Sequence, residues 1–209
     1  MNQQIIIVEG IDGVGKTTFC RKLKKINSER NFSSEVIPEF MEEFADGYIT
    51  NRLDFSKFIS LSDSYNTNLA QTFFLLSSHL FKYEVAIQKY SSTAFLIFDR
   101  FLFSVLAYQM VILEKSNHLK LASALYDFIE TLLPNGLIVV YLSCEIQILE
   151  KRLARRSEEY DESDLEFLGQ VSEKYDSIFE KINIPVVNID TSIKHDDLDI
   201  QNTLNSFFA

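Results

Sequence analysis

Short apolar runs alternate along this chain with longer stretches of helical period. The runs are 4–9 (QIIIVE), 34–38 (SEVIP), 94–98 (AFLIF), 137–142 (LIVVYL) and 184–189 (IPVVNI). They are rich in Ile, Val, Leu and Phe with little polar alternation, which is the pattern of strands buried on both faces. Between them, 17–30, 66–90, 101–115, 119–132, 145–156 and 162–182 read as helices. Strands that alternate with helices need crossover connections, so the expected fold is α/β: a five-stranded parallel sheet with helices on both faces. Residues 40–52 (FMEEFADGYITNR) are the least periodic and read as a loop entering a short helix at about 52–60. The chain shows no repeat and no low-complexity linker, and 209 residues suit a single domain, 1–209.

In an open parallel sheet, ligands bind beyond the carboxyl ends of the strands. Directly after the first run, Gly10 to Thr17 reads GIDGVGKT and fits G-x-x-x-x-G-K-[ST], a phosphate-binding loop between a strand and a helix. Gly10, Gly13 and Gly15 are half of the six glycines, placed where a backbone must turn tightly or let a phosphate approach. The N–H groups of this segment, with Asp12 and Val14 inside it and Thr18 just beyond, point to a phosphate cradle at a helix N-terminus. Lys16 would reach the β- and γ-phosphates, and the Thr17 hydroxyl would ligate Mg²⁺.

Residues after the other strands are Glu39, then Asp99 with Arg100, and Ser143. An acid at the end of a buried strand can hold Mg²⁺ or its water ligands, and an adjacent Arg can take a phosphate oxygen. The same pair also reads as a helix N-cap and an exposed Arg. A second basic cluster, KRLARR, puts Arg152 and Arg156 on one helix face with Arg155 a step round, just before the polar segment SEEYDES. Such cations serve either as helix-dipole partners or as arginines of a lid (about 152–163) that closes over transferring phosphates.

Composition narrows the partners. The formal charge is −10, from 30 acidic and 20 basic residues, which argues against a general nucleic-acid surface and for a small-molecule partner. Acidic stretches at 158–166 and 196–199 read as solvated faces. No apolar run reaches the roughly 18 residues of a membrane span. The N-terminus has no basic start before its short apolar run, so a cytoplasmic protein is expected. Cys20 and Cys144 have no metal-ligand spacing and read as reduced thiols.

Three pieces together are similar to the thymidylate kinases among the P-loop nucleoside monophosphate kinases. They are VEGIDGVGKTT at 8–18, DRFLFSVLAYQ at 99–109, and the KRLARR lid with a later helix carrying EKY at 173–175. The resemblance implies a three-layer P-loop kinase fold with a short lid, ATP as phosphate donor, Mg²⁺, and transfer to a deoxynucleoside monophosphate, dTMP above all. It puts Lys16 and Thr17 on ATP and the metal, with Arg152 on the donor side. Asp12 lies near the acceptor sugar or the metal, Asp99 at the reaction centre and Arg100 on the acceptor phosphate. Ser104, Tyr108 and Gln109 lie around the acceptor base and deoxyribose. Gly13 stands where some relatives carry a basic residue, and in relatives with glycine there the lid arginines, here Arg155 and Arg156, take the catalytic role. A homodimer is also implied.

The sequence departs from that pattern on the acceptor side. Phe40 stands where an acceptor-binding Arg is expected, with Arg52 the nearest replacement. His79 is the best match to an Arg that meets the base, though on its Phe- and Leu-rich helix it reads equally as a buried histidine. Tyr108 reads also as core. A related P-loop class, the deoxynucleoside kinases, would instead use Glu39 as base toward a 5′-hydroxyl. A GTPase-like switch is disfavoured, since no Asn is followed by Lys.

Overall fold

The computed structural model describes residues 3–39, 67–155, 161–195 and 197–205. Five strands form one sheet: β1 (Gln4–Glu9), β2 (Ser34–Ile37), β3 (Phe95–Asp99), β4 (Leu137–Ser143) and β5 (Val186–Asp190). Their spatial order is β2-β3-β1-β4-β5, and every neighbouring pair is parallel. Seven helices occur among the described residues: α1 (Lys16–Glu29), α2 (Asn68–Lys89), α3 (Leu102–Lys115), α4 (Leu119–Leu132), α5 (Ile146–Ala154), α6 (Glu162–Lys181) and α7 (Asp197–Asn205).

Burial explains the sequence pattern. Ile6, Ile7 and Val8 of the central β1 have no exposed surface, because both sheet faces are covered. The edge strand β5 alternates instead, with Val187 and Ile189 buried and Asn188 and Asp190 exposed. Proline sets two boundaries: β2 stops before Pro38, and β5 starts after Pro185, whose carbonyl still accepts from Val139 N at 3.0 Å. Asp99 is the last residue of β3, in register with Val8, rather than a loop residue following the strand.

The winding reverses at β1. From β1 the chain runs outward to β2, returns to β3, and then crosses to β4 and β5. The carboxyl end of β1 therefore lies between those of β3 and β4, at the crevice where such sheets bind ligands. The GIDGVGKT loop begins there.

The acidic stretches have structural uses that their composition hides. Asp161 caps α6, accepting from Ser163 N at 2.8 Å and Asp164 N at 3.0 Å, while Asp164 accepts from Asp161 N at 3.0 Å. Asp197 and Asp199 occupy the first turn of α7, a helix the sequence pattern does not announce, where their charge favours the helix dipole. Asp197 also pairs with Lys22 of α1 at 3.0 Å. Cys20 is buried, Cys144 is half-buried, and both are free. No helix among the described residues is long and apolar enough to cross a membrane. The short helix expected at about 52–60 lies outside the described residues.

Candidate active site

The loop after β1 is shaped by close contacts. A Cβ on Gly10 would run into the main-chain carbonyl of Leu142 on β4, and Gly10 has φ +141°. Gly15, left-handed at φ 101°, directly precedes α1. The first turn of α1 has no acidic residue and no side-chain cap. Its N–H groups and the positive end of its dipole are thus left for an anion, as phosphate binding requires.

Lys16 is 6% exposed and donates to Ile11 O at 2.9 Å, with Asp12 at 3.8 Å. Burial and then the Arg100 charge lower its pKa to about 8, against the opposing pull of Asp12, Glu39 and Asp99. Thr17 Oγ1 donates to Asp99 Oδ2 at 2.6 Å, and the other oxygen, Oδ1, is buried with no hydrogen-bond partner. A hydroxyl beside a carboxylate with a spare buried lone pair fits a small oxygen-seeking cation such as Mg²⁺. Mg²⁺ needs only one or two protein oxygens when phosphates and water fill its remaining positions. No cluster of three or more acidic, His or Cys side chains suited to a metal exists among the described residues.

Arg100 is the hub of a buried polar cluster beside the loop. It is left-handed at φ 68°, a conformation that costs a non-glycine residue roughly 1–3 kcal/mol and persists only where the surroundings hold it. Its main-chain N–H donates to Val8 O at 3.0 Å. Its guanidinium reaches Gly10 O at 3.0 Å, Ser104 Oγ at 3.1 Å, the Asp12 carboxylate, and Glu39 Oε1 at 2.9 Å. Tyr108 donates to Asp12 Oδ2 at 2.9 Å and sets its ring 5.2 Å from the Arg100 guanidinium carbon. Burial would raise the Asp12 carboxyl, but Arg100, Lys16 and the Tyr108 hydroxyl outweigh it and hold the group below its ordinary value. Asp12, Glu39, Asp99, Arg100, Ser104 and Tyr108, read separately from the sequence, thus meet around one guanidinium and the neighbouring Lys16 and Thr17.

A separate cavity of about 440 Å³ opens on the other side of the loop. Gly13, Val14, Gly15 and Thr18 line it with Arg152, Arg155 and Thr191. Arg152 ties its walls together, donating to Val14 O at 3.3 Å, Thr191 Oγ1 at 3.0 Å and Thr191 O at 2.6 Å. A cavity of this size beside a phosphate loop can take a nucleotide base and sugar.

Gln109 is buried and accepts from Thr72 Oγ1 at 2.7 Å. His79 is buried edge-on to Phe101, ring centroids 6.3 Å apart. Burial, with Lys82 and Arg100 nearby, holds its pKa well below the ordinary value, so the ring is neutral. Phe40, Arg52 and Arg156 lie outside the described residues, as does the middle of the expected lid, 156–160.

The thymidylate kinase family model matches residues 8–200. The chain belongs to the thymidylate kinase family. Among solved structures, a deoxyadenosine kinase from M. mycoides with bound dCTP is similar at a TM-score of 0.65 and 18% identity, covering 97% of this chain and 100% of that one. The same enzyme with bound dATP gives 0.64 and 18%, covering 99% and 100%. At that identity the likeness establishes the P-loop kinase fold. A search of curated proteins finds no match. Family and fold together support a phosphotransferase acting on nucleotides or nucleosides.

Two features of this thymidylate kinase family site escape sequence reading. Glu9, wholly buried, accepts from Phe101 N at 2.8 Å, from Ser104 N and Oγ, and from Tyr175 Oη at 3.0 Å. It fixes the start of α3 and, through Ser104, one nitrogen of Arg100. Its pKa is raised by burial, which these hydrogen bonds and Arg100 only partly offset. Lys82, also wholly buried, donates to the carbonyls of Pro38 and Glu39. The available signal was periodicity: Thr72, His79 and Ala86 recur every seven residues on the buried face of α2, and Lys82 falls on that same face.

The lowered pKa of Lys16 yields a pH prediction. Its ammonium is lost as pH rises through about 8, so kcat/KM for a nucleotide phosphate donor should fall above that pH. Bound phosphates favour the ammonium, so the limb in kcat should lie higher. Stability moves the other way: between about 8 and 10.5 the unfolded lysine holds more protons than the folded one, so Lys16 contributes increasing stability with pH. Coincident limbs in kcat and kcat/KM would refute the assignment.

Proposed function

We propose that this protein transfers the γ-phosphoryl group of ATP to a deoxynucleoside monophosphate, with dTMP preferred. The observation that carries this reading is the convergence of Lys16, Thr17 and Asp99 with Arg100, Asp12 and Tyr108 on one side of the loop, opposite the 440 Å³ cavity. The cavity takes the donor nucleoside, and the Arg100 side takes the acceptor. An acceptor phosphate oxygen is already a nucleophile, so the protein's task is to align it and balance developing charge. Lys16 supplies charge at the donor phosphates and Arg100 at the acceptor, while Thr17 and Asp99 would hold Mg²⁺. The bound ion would neutralise charge on the β- and γ-phosphates. Tyr108, packed beside Asp12 at the sugar, favours a deoxyribose over a ribose.

A second reading draws on Glu39. Its carboxylate, 2.9 Å from Arg100 Nε, stands where a base could serve a nucleoside 5′-hydroxyl, and a hydroxyl needs a base that a phosphate does not. The structurally similar deoxyadenosine kinases make nucleosides a concrete alternative acceptor.

One panel separates the two: dTMP, dUMP, dCMP, dGMP, thymidine, deoxycytidine and deoxyadenosine, each with ATP and Mg²⁺. The proposed function expects dTMP turnover that survives Glu39→Gln within about tenfold, since the amide keeps a hydrogen-bond acceptor for Arg100. Phosphorylation of nucleosides alone, lost by about 10²-fold or more in Glu39→Gln, would establish the second reading instead.

A further inference from the structure

Lys82 projects from the middle of α2 into a fully enclosed position. Its ammonium donates to Pro38 O at 3.2 Å and to Glu39 O, the two residues directly after β2. Glu39 in turn pairs with Arg100 at 2.9 Å, and Arg100 grips Asp12. An unbroken chain of contacts therefore runs from α2 through the end of β2 to the guanidinium at the centre of the acceptor side. A buried ammonium is costly unless its donors are satisfied, and an apolar side chain of similar volume would fill the slot without that cost.

We propose that Lys82 is a positioning residue for the acceptor substrate: by clamping the main chain at Pro38 and Glu39, it sets the Glu39 carboxylate against Arg100 and so fixes the guanidinium that meets the acceptor. This rests on the reading above that Arg100 faces the acceptor, whether that is a monophosphate or a nucleoside. Burial lowers the Lys82 pKa to about 8, partly countered by Glu39, Asp99 and Glu9. The donor cavity is lined by none of Lys82, Pro38, Glu39 or Arg100, so the larger effect is expected on the acceptor.

The test is steady-state kinetics on the full chain, with ATP and the best acceptor of the panel varied separately. Lys82→Met should lower kcat/KM for the acceptor at least tenfold and leave KM for ATP within about twofold. In a Glu39→Ala background, where the pair with Arg100 is already gone, Lys82→Met should add no more than about twofold. Such non-additivity marks residues that act as one unit. Should Lys82→Met fail to fold, Lys82→Gln, which removes the ammonium and is one bond shorter, is held to the same two criteria. Equal losses for both substrates, or a Lys82 effect of the same size with and without Glu39, would overturn the proposal and leave the functional reading standing. A wild-type protein inactive on every acceptor would overturn the functional reading itself and this inference with it.

Discussion

Asp99→Ala should lower turnover by about three orders of magnitude while the protein stays folded. The scale is that of removing a group placed where charge develops in the transition state. Asp99 closes β3, and its carboxylate stands 2.6 Å from the Thr17 hydroxyl with one oxygen left unpartnered. In the folded protein, truncation leaves the exposed Thr17 hydroxyl to bond with water, so the loss is that of one ordinary hydrogen bond, about 0.5–1.5 kcal/mol, well inside the stability of an ordinary domain. Circular dichroism and a thermal melt should therefore show a native protein. Asp99→Asn separates two roles. If the carboxylate serves to hold a cation, the neutral amide loses nearly as much activity as alanine. If it merely holds the Thr17 hydroxyl, the amide oxygen restores most of the turnover. Near-normal rates in Asp99→Ala would remove Asp99 from the reaction centre altogether. Lys16→Ala should behave alike, with a larger rise in KM for ATP, because its ammonium sits within the phosphate loop.

The contrast between Asp99 and Lys82 shows what a sequence exposes. Asp99 ends an apolar run, a local fact, and the parallel pairing of β3 with β1 carries it to the crevice beside the phosphate loop. Lys82 owes its role to carbonyls after β2, and Glu9 to groups on α3 and α6, partners fixed only by tertiary packing. Arg100 lies between these cases. Its position at the strand end was legible; its left-handed backbone and double hold by Asp12 and Glu39 were not. The central strands were readable because burial on both faces removes polar alternation from them. The helix α7 was not, because its acidic first turn hides a buried Ile200 that lines the cavity beside the phosphate loop.

Arg155→Ala should lower kcat by about 10³-fold with a much smaller change in KM for ATP. The reason begins at Gly13. Its φ is +83°, and a Cβ there would stand 2.7 Å from Leu149 Cδ1 and 2.9 Å from Leu153 Cδ2, so α5 closes directly over the loop. A basic side chain at this left-handed position is strained and must displace Leu149 and Leu153, so a second cation beside Lys16 for the transferring phosphoryl group is expected from outside the loop. Arg152 is occupied by Val14 O and Thr191, which it braces together. Arg155, one residue past the end of α5, lines the same cavity and is exposed. An arginine recruited only as charge transfers is worth roughly 10³–10⁵ in rate in related phosphoryl transfer, and its loss falls on kcat rather than on ground-state binding. Arg155→Lys should recover little, since an ammonium lacks the planar fork that spans two phosphoryl oxygens. The double variant with Arg156→Ala covers the neighbouring arginine, and Gly13→Arg should fail to rescue either, because the new side chain must displace Leu149 and Leu153. An unchanged kcat in Arg155→Ala and in the double variant would exclude these arginines from the transition state.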